Sequence, residues 1–422
     1  MKTKALVAIG LATTLLLTGC GRSDGGDGAQ KEGAALTDGK ASGTVNVWAQ
    51  AAEAEALPKL LEEFEAENPD VTVKVTAIPW EAAHNKYQTA IAGGSAPDVA
   101  HMGTTWMGDF GYAFDPVPAE IDTSGFFPGP LGTTEVDGAN VGVPWYVDTR
   151  MVYYRTDLAA QAGFETFPET WDGFKQLAQA FQSKAGAKFG VNLPTGGPDS
   201  FQSMLSFPWS NGAELINADD TEWTFDTPEM VSALEYYQSF FTEGIADPNV
   251  VTDPGADVSA FVDGSTPMLF AGPSMIGQLT AAGGPEFADK YTVARVPAQT
   301  SSTSFTGGGD LVVFKDTDNR DASWKLVKWL AQPEIQVKWN RLAGDLPAVA
   351  ESWDTPELAA DEKLAEFGDQ LTDTNSPPTV ATWTQVGAAA DTELEKIVKA
   401  GKSPAEAMKA LQSAADSLGT GD

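Results

Sequence analysis

The sequence predicts an α/β fold built from two lobes. From Thr44 onward, strand signals of period two alternate with helix signals of period 3.6, a pattern typical of helices layered on a largely parallel sheet. The chain after Thr44 is about 380 residues long, which is more than a single hydrophobic core usually supports. Two lobes are therefore the expected arrangement.

The N-terminus has the pattern of an export signal. Lys2 and Lys4 precede an apolar run over residues 5–17, which is too short to span a membrane as an ordinary helix. The run ends in Leu-Thr-Gly-Cys, a motif that predicts a lipoprotein signal peptide over residues 1–20, with cleavage and lipid attachment at Cys20. An ordinary secretory signal followed by a chance cysteine is the alternative. Because Cys20 is the only cysteine, the sequence excludes a disulfide framework and a thiol metal cluster.

Residues 21–43 are rich in glycine and poor in large apolar side chains, so we expect a flexible leash there. The formal net charge of the chain is −33. A charge of this sign argues against nucleic acid or an anionic membrane surface as a partner. It also disfavours phosphorylated ligands, although a local basic pocket could override the overall field.

The start of the body predicts a βαβαβ unit. Its first helix carries apolar side chains at i, i+3, i+4 and i+7 from Leu57 and ends before Pro69. The predicted strands cover residues 44–49, 71–77 and 97–102, and the second helix covers 81–92.

Later elements are predicted from their start signals and their periodicity. Thr170, Thr227 and Ser403 each stand where an N-cap is expected, and Ser403 opens a capping box with proline at the first helical position. Further strands are predicted at 267–270, 291–297 and 307–314, and further helices at 320–330 and 334–340.

Residues 142–158 combine aromatic rings with charged groups at close spacing. Rings that alternate with charges favour a half-buried strand, with one face toward a core. The other face would then contact solvent, another domain or a ligand.

Several motifs taken together resemble one known family. They are VNVWAQ at the start of the body, LLEEFEAENPDVTVKV, AIAGGSAPDV before a Thr/Trp loop, GVPWYVDTRMVYYRTDLAAQAG, PETWDGFKQLA, FTGGGDLVVFK and WKLVKWLAQPEIQVKWN, preceded by the lipobox. In order and spacing the chain resembles the family 1 extracellular solute-binding proteins, the maltose-binding-protein-like sugar-binding lipoproteins of ABC importers. Motif by motif the match is loose, but it covers nearly all of residues 44–420.

The resemblance implies the periplasmic-binding-protein-like fold, in which two α/β lobes joined by a multi-crossing hinge hold the ligand in the cleft between them. The N-terminal lobe would comprise residues 44–147 and 305–345, and the C-terminal lobe residues 151–304 and 346–422. The aromatic and charged stretch around Trp145 would be the first crossing. Open α/β sheets also bind ligands beyond the carboxyl ends of their strands.

A neutral sugar presents apolar C–H faces and hydroxyl groups, so its pocket needs aromatic faces with carboxylates, amides and guanidinium groups. Buried packing is the competing explanation for any one Trp, and the helical pattern around Trp171, Trp324, Trp329 and Trp339 favours it there. The cleft residues that the resemblance implies are Gln50, Trp80, Glu81, His84, Thr104, Thr105, Trp106, Trp145, Tyr146, Asp148, Arg150, Trp209, Asn211, Ser274, Gly308, Gly309, Asp310, Arg341 and Trp383.

Three of these positions carry specific expectations. Asp148 stands where the family often has a carboxylate bonding sugar hydroxyls, and a hinge salt bridge with Arg150 is the alternative. The glycine run that includes Gly308 and Gly309 would let the backbone approach a ligand closely. Asp310 departs from the Ser or Asn that many relatives carry, so its role stays open. The run is no phosphate-binding P-loop, because no Lys-Ser/Thr follows it.

Other functions fit the sequence less well. A secreted glycoside hydrolase would also show aromatic and acidic residues, but the sequence has no distinctive acid pair and no G-x-S-x-G elbow. Metal capture is disfavoured because the two histidines lack ligand spacing. Within binding proteins, a glycerol-phosphate binder would need convergent cations, for which Arg150 and Arg341 are the candidates.

The sequence thus predicts a protein that is not an enzyme and that needs no cofactor or metal. The expected ligand is a neutral di- or oligosaccharide, and the expected partners are the transmembrane subunits of an ABC permease and the membrane, through the lipid anchor. We expect a monomer that binds no nucleic acid and sits on the outer face of the cytoplasmic membrane.

Overall fold

The computed structural model describes residues 33–250, 253 and 255–421. Helices and strands alternate along the chain, which confirms the mixed α/β class. The predicted signal segment and Cys20 lie outside the described residues.

The strands are β1 Ser42–Gln50, β2 Asp70–Ile78, β3 Val99–Gly103, β4 Glu135–Val136, β5 Ala139–Asn140, β6 Val143–Thr149, β7 Met151–Arg155, β8 Met268–Ala271, β9 Tyr291–Ala294, β10 Ser304–Val313, β11 Leu346–Pro347 and β12 Thr374–Asn375.

The α-helices are α1 Ala51–Glu67, α2 Trp80–Ala92, α3 Met107–Phe110, α4 Pro128–Gly132, α5 Thr156–Ala162, α6 Trp171–Lys184, α7 Ser200–Ser203, α8 Ser206–Ser210, α9 Pro228–Thr242, α10 Ala256–Asp263, α11 Ser274–Gly283, α12 Arg320–Leu330, α13 Pro333–Ala343, α14 Pro356–Ala359, α15 Glu362–Gln370, α16 Trp383–Lys399 and α17 Pro404–Leu418. Short 3-10 helices cover Thr104–Trp106, Gly111–Ala113, Pro285–Lys290 and Ala350–Asp354.

The first lobe is built on a sheet with strand order β11-β6-β10-β3-β1-β2. Strand β1 runs parallel to β2 and β3, and helices α1 and α2 supply the crossovers that parallel strands require. Strand β10 enters between β3 and β6 and runs antiparallel to both. The carboxyl ends of β1 and β3 therefore meet at one edge of this sheet.

The second lobe contains a three-stranded antiparallel sheet of order β8-β7-β9. Residues of β7, α6, α9 and α16 share one hydrophobic cluster beside it. The side chains of Thr170, Thr227 and Ser403 each accept a hydrogen bond from a backbone N–H in the first turn of the helix that follows. The three helix starts predicted from these residues are confirmed.

Two strands pass directly from one lobe to the other. Strand β6 belongs to the first sheet and β7 to the second, and Arg150 alone separates them. Strand β10 makes the return crossing, because Phe305 packs in the second-lobe cluster while Thr306 pairs with Thr149 of β6. A third crossing follows later, between Ala350, which donates its N–H to Gly125, and Gln370, which accepts from Val296.

The tryptophans expected to be packing residues are buried. Trp324, Trp329 and Trp339 pack in the first-lobe core, and Trp171 packs in the second. The Trp324 ring also donates its Nε1–H to the Asp115 carboxylate at 2.7 Å, so a polar group inside the lobe is satisfied.

The prediction of a flexible leash over residues 21–43 is corrected for its described part, residues 33–43, which packs on the body. Gly33 donates its N–H to Val117 at 3.0 Å, and Thr37 donates to the Asp321 carboxylate at 2.7 Å. Ala41 is buried, and β1 already begins at Ser42. Glycine content alone misjudged residues 33–43, since side chains from distant parts of the chain satisfy their backbone.

The predicted end of the N-terminal lobe at residue 345 is also corrected. Leu346 and Pro347 pair with β6 of the first sheet, and Val349 forms a bridge with Phe126. The chain therefore stays with the first lobe for about another ten residues before it crosses. No local signal marks this point, because the partner strand lies about 200 residues earlier in the sequence.

We predict that Trp324→Ala destabilises the protein by about 3–5 kcal/mol, since it removes a fully buried ring and one hydrogen bond to the Asp115 carboxylate, which keeps its ion pair with Arg320. Trp80→Ala is the matched control, because that ring is 39% exposed and should cost under about 1 kcal/mol. Urea unfolding of both variants measures the difference. Equal losses of unfolding free energy would contradict the placement of the two rings.

Candidate functional site

A cavity of about 220 Å³ lies between the two lobes. The first lobe contributes Thr105 and Trp106, which directly follow the carboxyl end of β3. The second lobe contributes residues of α16 and of the loop before α7. Its lining from that lobe consists of Pro198, Asp199, Gln202, Trp383, Thr384, Gly387, Ala388 and Asp391. The cavity therefore lies beyond the carboxyl end of a parallel strand, the region where open α/β sheets bind ligands.

The first-lobe wall of the cleft is aromatic. The rings of Trp80 and Trp106 lie 5.0 Å apart, and the His84 ring stands edge-on to Trp106 at 5.6 Å. His84 is fixed by a 2.7 Å contact between its Nε2 and the Asp109 carboxylate. These predicted residues are brought together at one edge of the sheet. The predicted residue Glu81 follows Trp80 at the start of α2, and its side chain is not among those that the structure describes.

Asp109 also links the two lobes. The Thr384 hydroxyl of α16 donates to the Asp109 carboxylate at 3.4 Å. Nearby, the Thr379 hydroxyl donates to the backbone oxygen of Glu135 at 2.7 Å. The lobes therefore touch beside the cavity, so its two walls are held at a defined separation.

Behind the aromatic wall lies a buried polar network. Gln50 is fully buried and donates through Nε2 to the Tyr87 hydroxyl at 2.8 Å and to the His101 carbonyl at 3.0 Å. The Tyr146 hydroxyl lies 3.1 Å from Nε2 of His101. Burial lowers the pKa of His101 to about 3, so the ring is neutral. Gln50 therefore supports the wall, and Thr104 is likewise buried.

Gly308 and Gly309 pack closely against Tyr146 and His101 of the same lobe. A Cβ at Gly309 would lie 2.2 Å from Nε2 of His101 and 2.9 Å from the Tyr146 ring. Gly308 has a φ of 124°, and a Cβ there would lie 2.3 Å from the Tyr146 carbonyl oxygen. The close approach expected for a ligand is thus made by internal side chains, which corrects the predicted role of Gly308 and Gly309.

Carboxylates gather around Tyr146 at the base of the cleft. Burial raises the pKa of Asp345 to about 7, and the negative charge of Glu53 adds to the shift. Burial, followed by the charges of Glu53, Asp345 and Asp148, raises the pKa of Tyr146 well above its ordinary value. The sequence analysis did not predict Glu53 and Asp345 as cleft residues, because neither lies in a recognisable motif. The one available indication was that Glu53 follows the end of β1 and Asp345 directly precedes β11.

Asp148 and Arg150 form an ion pair at the first crossing. This is the hinge salt bridge that the sequence offered as the alternative to a ligand contact. The other carboxylate oxygen, Oδ1, has no hydrogen-bond partner among the described residues. A Cβ at Gly272 would lie 2.2 Å from this oxygen, so the second lobe approaches it closely. Ser274 is exposed two residues further on, at the start of α11.

Three predicted tryptophans are more buried than a cleft surface requires. Trp145 is a correction, since its ring stacks on Trp339 at 4.5 Å inside the first-lobe core. Trp209 packs in the second-lobe core and reaches a separate groove instead of the cavity. Trp383 is 3% exposed and packs near Trp223, yet its ring edge lines the cavity. Truncation of Trp383 would therefore affect folding as well as binding.

Three polar residues that were predicted to contact the ligand lie away from the cavity, so their predicted role is corrected. Asn211 donates through Nδ2 to the Glu229 carbonyl and the Ser232 hydroxyl, which fixes it to α9. Arg341 is exposed on α13 and forms an ion pair with Glu357. Asp310 is buried within the first sheet.

Asp310 sits where β10 bulges against β6, opposite Pro144. The Thr133 hydroxyl donates to its Oδ2 at 3.0 Å, and Oδ1 has no partner among the described residues. Burial raises the pKa of Asp310 to about 8, against the opposing effect of the Thr133 hydrogen bond. The carboxyl is therefore a protonated internal group and not a ligand contact.

Within the described residues, no group of three or more His, Cys, Asp or Glu side chains is arranged to hold a metal ion. No described helix is both long and apolar enough to cross a membrane. The chemistry that remains at the cleft is that of aromatic faces, carboxylates and hydroxyls.

The family profile described as bacterial extracellular solute-binding protein matches residues 48–337. A similar curated protein is the diacetylchitobiose binding protein DasA of Streptomyces coelicolor, 25% identical over 98% of this chain and 97% of its own length. Another is the maltotriose-binding protein of Pyrococcus abyssi, 26% identical over 83% of this chain and 77% of its own.

Solved structures show the same architecture. The sugar-binding protein MalE of Xanthomonas citri superposes with a TM-score of 0.83 and 30% identity, over 89% of this chain and 97% of its own. The GacH receptor of Streptomyces glaucescens superposes with a TM-score of 0.76 and 26% identity, over 90% of this chain and 99% of its own. The two-lobed fold expected from the sequence is therefore confirmed.

We predict that Asp310→Asn makes the protein more stable at neutral pH. The Asp310 carboxyl has an ordinary pKa of 3.8 and a folded pKa of about 8, so the folded state holds an extra proton between those values. Its contribution to stability is fully present below pH 3.8 and is lost as the pH rises toward 8. The stability difference between variant and parent should grow by about 1.4 kcal/mol per pH unit in that window. Urea unfolding at pH 5.5 and 7.5 measures it, and a pH-independent difference would contradict the assignment.

Proposed function

Because the chain belongs to the bacterial extracellular solute-binding protein family, we propose that it captures a neutral di- or oligosaccharide outside the cytoplasm and delivers it to an ABC permease. This family consists of substrate-binding proteins of ABC transporters, so the chain is a binding protein and not an enzyme. The observation that carries the proposal is a cavity between the lobes that is lined by Trp106 from one and by Trp383 from the other.

The lining of this cavity suits a sugar ring. Aromatic faces pack on the C–H faces of a pyranose, while carboxylates accept hydrogen bonds from its hydroxyls. Trp106 supplies such a face, backed by the neighbouring Trp80 ring, and Asp199 supplies an acceptor. Ligand pockets in general combine apolar walls with a few placed polar groups, which is the composition found here.

Binding would couple to lobe closure. Trp106 and Trp383 line one cavity in this arrangement of the lobes, so a ligand that contacts both would favour it over a more open arrangement by its differential affinity. The hinge would consist of Arg150, the start of β10 and the third crossing between Ala350 and Gln370, where the chain could bend without disturbing either core. The permease would then recognise the closed shape.

The related proteins support a neutral saccharide over a phosphorylated ligand. The relatives from Pyrococcus abyssi and Streptomyces coelicolor are named for maltotriose and diacetylchitobiose, which are both neutral. A glycerol-phosphate ligand would need converging cations, but Arg341 is paired on the surface and Arg150 is paired with Asp148. No Lys or Arg is among the described residues that line the cavity.

We further propose that Cys20 carries a lipid anchor and that the protein acts as a monomer on the outer face of the cytoplasmic membrane. The support is the Leu-Thr-Gly-Cys motif after a short apolar run. An anchored binder stays near the permease that it serves. Two acyl chains hold a protein stably at a bilayer, whereas one does not.

The sugar-binding proposal predicts that maltose, maltotriose, lactose or diacetylchitobiose raises the melting temperature of the soluble body and is recovered chemically intact. Trp106→Ala should weaken the affinity by roughly tenfold to a hundredfold with little loss of stability, because this ring is only partly buried. Tyr112→Ala is the control, since that ring is 65% exposed and outside the cavity lining. Calorimetry decides. Hydrolysis of the sugar, or no binding by the parent, would refute the proposal.

The anchoring proposal predicts that Cys20→Ala releases the protein from the membrane fraction, because the acyl chains have no other attachment site. Cell fractionation followed by detergent-phase partitioning measures this. Ser23→Ala is a suitable control, since it alters a nearby residue without touching the motif. Unchanged partitioning of the Cys20 variant would show that the anchor is absent.

A further inference from the structure

One ridge of α16 forms the floor of the cavity. Trp383, Gly387 and Asp391 follow one another at four-residue intervals, so their side-chain positions lie along one face of the helix. Gly387 has no side chain between the ring and the carboxylate. A Cβ at this position would meet only the edge of the Trp383 ring, at 3.9 Å. The gap above Gly387 is therefore open space within the cavity.

The loop before α7 is fastened to the same helix. The Asp391 carboxylate accepts hydrogen bonds from the N–H groups of Asp199 at 2.9 Å and Phe201 at 2.8 Å, and from the Ser200 hydroxyl at 3.1 Å. Gly196 approaches α16 so closely that a Cβ there would lie 2.6 Å from Cβ of Glu395. Asp391 is thus a positioning residue for this loop, and its own oxygens are occupied.

Asp199 is presented differently. Its backbone is left-handed, with a φ of 60°, a conformation that few residues other than glycine, Asn and Asp adopt. Asp199 is an exposed residue of the cavity lining, and its carboxylate makes no hydrogen bond to the described residues. Partial burial, followed by the charge of Asp391, raises its pKa. An acceptor is therefore held at the cavity wall with its hydrogen-bonding capacity free.

We propose that Gly387 and Asp199 determine which sugar is bound: Gly387 leaves room for one ring beside Trp383, and Asp199 accepts a hydrogen bond from a hydroxyl of that ring. This assignment rests on the proposed function and specifies its second-lobe subsite. The cavity of about 220 Å³ is below the roughly 300–1,000 Å³ of typical ligand pockets, so it takes a single ring. Because Asp199 and Asp391 are its only charged lining residues, a ring bearing a carboxylate is excluded.

The steric part is tested with Gly387→Leu. A leucine at this helical position would fill the gap, so the variant should bind at least about a hundredfold more weakly than the parent to whichever of maltose, maltotriose, lactose or diacetylchitobiose the parent binds best. Its melting temperature without sugar should equal or exceed that of the parent, because leucine favours helix over glycine. Gly277→Leu is the matched control on exposed α11, where a Cβ has no neighbour within 4 Å.

The polar part is tested with Asp199→Asn. Asn tolerates the left-handed backbone, so only the charge and acceptor capacity change, and we expect roughly a tenfold loss of affinity at unchanged melting temperature. Asp220→Asn is the control, since Asp220 shares the left-handed conformation, with a φ of 56°, but does not line the cavity. Digalacturonate serves as the anionic probe and should not stabilise the parent.

The outcomes separate the two proposals. If the parent binds none of the four neutral sugars, both the proposed function and this subsite are overturned. If the parent binds but Gly387→Leu binds equally well, or Asp199→Asn and Asp220→Asn behave alike, only the subsite is overturned. Binding of digalacturonate as tight as that of the neutral sugar would overturn the charge selection.

Discussion

The antiparallel pairing of β6 with β10 is the interaction on which the two-lobed arrangement depends. At the point where both strands leave the first sheet, the Thr149 hydroxyl donates to the Phe305 carbonyl at 2.7 Å, and the Ser304 hydroxyl donates to the Arg150 carbonyl at 2.7 Å. The Arg150 guanidinium also lies over the Phe305 ring at 5.3 Å. The two crossings are therefore tied together, and any change in the angle between the lobes must bend them as one unit.

Because the crossings form a shared hinge, the two walls of the cleft can each be stabilised within their own lobe. Each wall packs on a hydrophobic cluster of its own lobe, so each can stay rigid while the separation between the walls changes. The buried network around His101 fixes the first-lobe wall, and Asp391 fixes the loop of the second. Rigid walls on a bending connection would let the proposed ligand select the closed state without unfolding either lobe.

Local patterns predicted the elements well where the periodicity was strong. The caps at Thr170 and Thr227 and the buried rings of Trp324 and Trp339 followed from spacing alone, since capping and helical burial depend on neighbours in the sequence. The leash at residues 33–43 did not, because its backbone is satisfied by distant residues. Of the residues predicted for the cleft, Trp80, His84 and Trp106 pack together beside the cavity, whereas Asn211 and Arg341 lie elsewhere.

The sequence by itself determined the class of fold, the order of the strands and helices, and the aromatic character of the first-lobe wall, because these depend on periodicity and on residues at strand ends. Only the tertiary structure decided which polar groups face the cavity. Asp199 and Asp391 are 192 residues apart, yet one positions the other through backbone hydrogen bonds. Such a pair has no signature in either local segment, since the contact exists only after α16 has packed against the loop before α7 within the second lobe.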